Sequence, residues 1–158
     1  MQKKSAGILL YRFSNAELQV LIVHPGGPFW RNKDEGAWSI PKGEFETEAP
    51  LEAALREFKE ETGATLSGAF IELTPVKMKS GKVIFAFAHQ ADLDVNTISS
   101  NTFIVEWPPQ SDKFQQFPEV DAASWANYAT CSKKLNPALL PLVDELTAML
   151  NQSDAIRY

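Results

Sequence analysis

Cysteine is almost missing from this chain. Cys131 is the single thiol among 158 residues, so no internal disulfide can form. One cysteine with no histidine near it in sequence reads as a structural thiol rather than a nucleophile, and it is consistent with a reducing cytoplasm. Long apolar runs are missing too. After Lys3 and Lys4 the run Ala6 to Tyr11 is too short for the core of a signal peptide, and nothing approaches the ~20 apolar residues of a membrane span. Clustered cations are also scarce: no run of Lys or Arg exceeds two residues, and 15 basic against 20 acidic residues leave a formal charge of −5. That argues against an extended nucleic-acid surface, which rests on clustered cations. A phosphorylated small molecule stays open, because a metal ion and a few cations can meet its charge locally. No repeat or low-complexity segment is present. What remains is ordinary globular composition, 44% hydrophobic with 22% charged, at a length that predicts a single domain over residues 1–158.

The strongest feature is Gly43 to Ala64, GEFETEAPLEAALREFKEETGA. Its apolar spacing predicts a helix at about Pro50 to Thr62, with Pro50 in the first turn and Gly63 as the closing glycine. Glu57, Glu60 and Glu61 then project from one face, because residues three and four apart are helix neighbours. Leu51, Ala54, Leu55 and Phe58 fall on another face as a core stripe. Three ionised carboxylates together repel unless a cation holds them, and an oxygen-only ligand set suits Mg²⁺ or Mn²⁺. Arg56, four residues before Glu60, is placed to brace the cluster. The competing reading is a solvated acidic face with no metal.

Around that helix the chain reads as strand-rich. Ser5 to Phe13 and Leu18 to His24 are β-prone, with a hairpin-like turn at Ser14 to Glu17. A long loop, Pro25 to Ala37, follows, and loops of that length are often functional. Beyond the helix, strands are expected at Gly68 to Met78, Lys82 to Leu93 and Phe103 to Trp107. Gln110 to Pro118 is expected as a second loop, after which Val120 to Tyr128 returns to the core. Asn136 to Asn151 reads as a closing amphipathic helix with an irregular start, since Pro137 and Pro141 lie in it. The sum is an α/β (α+β) domain.

Gly43 to Ala64 resembles the signature of the Nudix hydrolases, G-x5-E-x7-R-E-U-x-E-E-x-G-U with U apolar. Glu48, Arg56, Glu57, Glu60, Glu61 and Gly63 match position by position, and Phe58 and Ala64 fill the apolar places. One residue is missing between Gly43 and Glu48. The resemblance implies a three-layer α/β/α sandwich with a mixed central sheet. It also implies a Mg²⁺-dependent (or Mn²⁺-dependent) hydrolase of a pyrophosphate bond in a nucleoside diphosphate linked to another moiety, with dinucleoside polyphosphates and nucleoside triphosphates among the candidates. The lead-in Trp38 to Glu44 is similar to that of dinucleoside polyphosphate and diphosphoinositol hydrolases. The alternative is a catalytically weak Nudix-fold module that binds nucleotides or regulates, for which the shortened loop is the support.

By the same resemblance Glu57, Glu60 and Glu61 are metal ligands, with the backbone carbonyl of Lys42 or Gly43 as a further one. Arg56 orients the glutamates. The general base lies on Glu57 or Glu61, or outside the helix on Glu119 first and Glu106 next. Lys42 is a candidate phosphate contact, and Phe29 and Trp30 in the long loop are candidates to stack on a base. His24, ending a strand ahead of that loop, is a further substrate-binding candidate.

Overall fold

The computed structural model describes residues 2–156. Strand β1 (Lys4–Ser14) is its axis, and β2 (Glu17–Pro25) folds back on it antiparallel. The turn between them holds Asn15 at φ 51° and Ala16 at φ 65°. Two successive left-handed residues match the twist of the flanking strands, which is why so short a connection closes the hairpin. On the other edge of β1 runs β6 (Val83–Gln90), parallel to it, so the sheet is mixed. Short strands β4 (Ile71–Glu72) and β5 (Val76–Lys77) pair with β6, and β9 (Val120–Ala126) pairs with β2.

Strand β3 (Lys42–Phe45) shares an edge of β1 with β2: it takes Lys4 to Gly7, whereas β2 takes Tyr11 to Ser14. The partner of β1 therefore changes midway. At the change the Ile8 N–H donates to the Pro41 carbonyl at 3.1 Å, and two 2.8 Å bonds between Val23 and Ser39 tie the separating segments. A cleft lined by Val23, Ser39, Ile40 and Lys42 among others opens at this fork.

Alternation along β1 sends its side chains to two cores. Ala6, Ile8 and Leu10 pack with Ala53, Ala54 and Phe58 of helix α1 (Pro50–Thr62). Leu9 and Tyr11 pack with Cys131, Leu135, Leu142 and Leu146 on the opposite face, from α2 (Tyr128–Lys134), its end and α3 (Leu140–Ile156). Helices on both faces of a mixed sheet give the three layers that the resemblance implied. Cys131 is fully buried and its thiol is pushed up to about 11 by that burial, in keeping with a structural role. No helix among the described residues is long and apolar enough to cross a membrane.

Three expectations need correction. Gly68 to Met78 is not one strand: Pro75 has no N–H for a ladder, and the Thr74 N–H donates to the Glu145 carboxylate of α3 at 2.7 Å, so β4 and β5 stand apart. Gln110 to Pro118 is not all loop. Its second half is β8 (Phe114–Pro118), which pairs with β7 (Thr102–Glu106) in a separate two-stranded ribbon, Phe117 opposite Phe103. Helix α2 has no counterpart in the expected elements. Its start is set by Asn127, whose side chain accepts the Thr130 N–H at 2.9 Å as an N-cap. The closing helix does start irregularly, with a 3-10 turn at Pro137–Leu139 ahead of α3.

Candidate active site

Helix α1 spans the expected residues. Pro50 opens it, and Gly63, at φ 82°, ends it by donating its N–H to the Lys59 carbonyl at 2.8 Å. A residue with a side chain strains at that φ, so the helix stops directly after its acidic turn. Phe58 is fully buried against the sheet, which turns the neighbouring glutamates toward the fork between β2 and β3.

Arg56 organises three of them. Its guanidinium holds Glu48 in a two-pronged pair at 2.7 and 2.9 Å, Glu57 at 2.9 Å and Glu60 at 3.3 Å. The Glu48 carboxyl is held below its ordinary range by that pairing, and the Arg56 pKa is raised by it. The residue missing between Gly43 and Glu48 therefore costs this contact nothing: β3 and the bend after it still deliver Glu48 to Arg56.

Gly43 has a steric reason to be glycine. A Cβ there would lie 2.0 Å from the Glu57 carboxyl carbon and 2.2 and 2.3 Å from its oxygens. The backbone of β3 thus forms the floor on which the Glu57 carboxylate rests.

The last member comes from far along the chain. Glu119 sits between β8 and β9, and one carboxylate oxygen from each of Glu57, Glu60 and Glu119 lies within 4.8 Å of the other two. Backbone bonds hold it there. Asn101 donates to the Glu60 carbonyl at 2.7 Å and Ser99 to the Thr62 carbonyl at 3.0 Å, satisfying orphan groups at the helix end. Glu119 in turn donates its N–H to the Asn101 carbonyl at 2.8 Å and accepts from the Gly26 N–H at 2.9 Å. The acid is thereby tied to α1 and to the long loop together.

Glu61 lies beside this trio in a cleft of about 170 Å³, lined also by Lys42, Glu119, Ser39, Val23 and Pro25. It is 7% exposed, and its Oε2 atom has no hydrogen-bond partner. Burial first, and the nearby Glu57 charge second, push its pKa up to about 9. Glu57 is raised mainly by burial, with Arg56 pulling the other way, and Glu119 by burial and Glu60. Lys42 is lowered, mainly by desolvation of its ammonium. Like charges crowded out of water repel one another, and a cation placed among them would relieve that repulsion. The donor set is all oxygen, and it includes a buried oxygen without a partner. Both fit a hard divalent ion.

The remaining candidates separate. His24 is buried, and both ring nitrogens are engaged: Nδ1 with the Asp121 carboxylate at 2.7 Å and Nε2 with the Lys33 carbonyl at 2.6 Å. It packs edge-on to Trp38, whose indole N–H donates to Asp34 at 2.8 Å, while Lys134 pairs with Asp34. His24 braces the long loop and has no nitrogen left for a substrate. Phe29 is 56% exposed with its ring edge-on to Trp107 at 5.5 Å, and Trp30 is 39% exposed beneath the Lys33 ammonium at 5.1 Å. Asp121 and Asp34, which hold the loop, carried no sequence signal of their own.

A three-layer fold in which helix α1 presents carboxylates at a fork in the sheet is the architecture of the Nudix pyrophosphohydrolases. The family model for the NUDIX domain matches residues 1–146, and the chain belongs to that family. Among solved structures it is similar to the NUDIX domain of Shewanella oneidensis NrtR complexed with ADP ribose, at 18% identity and a TM-score of 0.65 over 95% of this chain and 89% of that one. It is also similar to a C. elegans Ap4A hydrolase, at 19% identity and a TM-score of 0.64 over 95% of this chain and 98% of that one. A third is a MutT/Nudix family protein from Listeria innocua, at 16% identity and a TM-score of 0.61 over 98% and 97%. At such identities the likeness is one of fold. No curated protein sequence matches the chain.

Proposed function

We propose that this Nudix protein is a Mg²⁺- or Mn²⁺-dependent pyrophosphohydrolase acting on a nucleoside diphosphate derivative, with dinucleoside polyphosphates and nucleoside triphosphates as the first substrates to try. The observation that carries the reading is the convergence of Glu57, Glu60 and Glu119 within 4.8 Å beside a cleft that contains Glu61 and Lys42. Glu57, Glu60 and Glu119 would hold the cation, on the floor that Gly43 provides. When bound, a divalent ion neutralises phosphate charge and lowers the pKa of water. Arg56 keeps the carboxylates in register, so little has to move during reaction. Lys42 meets a phosphate oxygen. Glu61, with its unpartnered oxygen in the cleft, would take the proton of the attacking water as a carboxylate, the form that a neighbouring cation's charge would favour. The water oxygen bonds to one phosphorus as the bridging P–O bond breaks, giving two phosphorylated products. Phe29 and Trp30, exposed on the long loop, supply aromatic surface for the base.

The known ligands of similar folds agree with this class, since one is complexed with ADP ribose and another is a hydrolase of Ap4A. The shortened loop, on which a module without turnover would rest, still seats Glu48 on Arg56. A free, buried Cys131 suits the reducing cytoplasm as the setting. The test is a panel of ADP-ribose, Ap4A, nucleoside triphosphates and nucleotide sugars with Mg²⁺, with the products identified. Cleavage between phosphates that stops in chelator is expected. Turnover that persists in chelator, or cleavage of another bond, would refute the reading.

A further inference from the structure

Strand β9 carries an irregularity directly after Glu119. Its pairing with β2 runs in step from Val20 opposite Ala126 to His24 opposite Ala122, and then Pro25 stands opposite Val120. Asp121 is the extra residue, so the strand bulges there. Because side chains alternate along a strand, one inserted residue reverses the face of what lies beyond it. Val23, Pro25 and Val120 consequently all line the cleft. Without the bulge Val120 would share the face of Ala122 and His24, and Glu119 would be turned by the same step.

A bulge residue is the one that the ladder leaves unpaired. Here a side-chain contact holds it instead. The Asp121 carboxylate meets His24 Nδ1 at 2.7 Å, and the other nitrogen of that ring is fixed on the Lys33 carbonyl at 2.6 Å. His24 is buried, with its ring edge-on to Trp38 at 5.3 Å, so the anchor is itself packed in place. On the other side of the bulge the Val120 N–H donates to the Ser100 hydroxyl at 3.0 Å. Gly26 leaves no room for a shift there, since a Cβ on it would lie 1.9 Å from the Pro118 carbonyl oxygen. Glu119 is therefore mounted between two fixed points.

Building on the reading of the trio as a cation site, we propose that Asp121, held by His24, is a positioning residue that aims Glu119 at Glu57 and Glu60, although neither Asp121 nor His24 lines the cleft. His24 thus acts on the carboxylate trio through the bulge, as well as bracing the long loop. Losing the contact frees the extra residue to slip along β2, and Glu119 then loses the phase that brings it to the helix acids.

The test uses the full chain, with Mn²⁺ binding followed by electron paramagnetic resonance in wild type, Asp121→Ala, Glu119→Gln and the double variant. Asp121→Ala should weaken Mn²⁺ binding about 10-fold, as losing a group that orients a metal ligand does. In the Glu119→Gln background the same change should add nothing, because the carboxylate it aims is already gone. Asp121→Asn, which keeps a hydrogen bond to the ring, should stay near wild type. His24→Phe keeps a ring against Trp38 but removes the bond, and it should reproduce the loss even if the alanine variant fails to fold. Hydrogen exchange in chelator reads the aim without any metal. The Gly26 and Glu119 amides, whose bonds tie the acid to the long loop and to Asn101, should exchange at least ~10-fold faster in Asp121→Ala, with the Phe58 amide unchanged. Wild-type Mn²⁺ affinity in Asp121→Ala and His24→Phe, an equal further loss on top of Glu119→Gln, or unchanged exchange would each overturn the proposal. A wild type that binds no Mn²⁺ would overturn the cation reading instead, and exchange would then decide whether Asp121 holds Glu119.

Discussion

Replacing Gly43 with alanine tests the floor of the site with one methyl group. The added Cβ would sit 2.0 Å from the Glu57 carboxyl carbon, where ordinary contact begins at 3.4 Å, so that carboxylate must retreat by more than ~1 Å. Its 2.9 Å bond to Arg56 stretches by a comparable amount, and the 4.8 Å grouping with Glu60 and Glu119 opens. A misplacement of about 1 Å in a catalytic group costs on the order of 10²-fold in rate. Stability should barely change. Gly43 lies in a strand, and a Gly→Ala change there lowers the entropy of the unfolded chain by an amount worth roughly 0.4–1 kcal/mol. That gain offsets part of the local crowding. The assay is steady-state hydrolysis with Mg²⁺ alongside thermal melting. A fall of about 100-fold in kcat, with the melting temperature within a few degrees of wild type, is expected. Wild-type kcat would show that Glu57 does not work from the position it occupies against β3.

Further outcomes concern Glu61 and Trp30. In the absence of metal Glu61 is held protonated up to about pH 9, while an unfolded chain ionises it near the ordinary glutamate value. Between those limits the unfolded state gives up its proton first, so stability falls as pH rises, by about 1.4 kcal/mol per pH step at most. Glu61→Gln, which cannot ionise, should therefore be more stable than wild type by roughly 3 kcal/mol at pH 7 in chelator, with the gap closing toward pH 5. Denaturant melts at both pH values check this, and a gap that does not change with pH would contradict it. The same variant should lose turnover by orders of magnitude. Trp30→Ala should raise KM for nucleotide substrates several-fold while sparing kcat, and an unchanged KM would remove Trp30 from base binding.

Much of this architecture was legible in the sequence because the signals were local. The helix bounds follow from Pro50, the apolar stripe and Gly63, and the three acids from their spacing. The β1–β2 hairpin follows from two apolar runs separated by four polar or small residues. The two-stranded ribbon was not legible, because Phe114-Gln-Gln-Phe117 alternates too briefly to declare a strand. It exists because Phe103 and Phe117 meet across it. The place of Glu119 depends on backbone bonds from Gly26, Asn101 and Ser99, which carry no side-chain code. His24 shows the converse. Its position before a glycine-rich loop suggested a substrate contact, yet Asp121, almost a hundred residues away, had already claimed one nitrogen.

The most direct test of the site is Mn²⁺ binding, followed by electron paramagnetic resonance, in wild type and in Glu119→Gln. If one cation is held jointly by α1 and the segment after β8, the substitution should weaken Mn²⁺ binding at least ~10-fold and lower hydrolysis with it, although Glu57, Glu60 and Glu61 are untouched. Wild-type Mn²⁺ affinity in Glu119→Gln would confine the metal site to the helix and contradict the convergence on which the account rests.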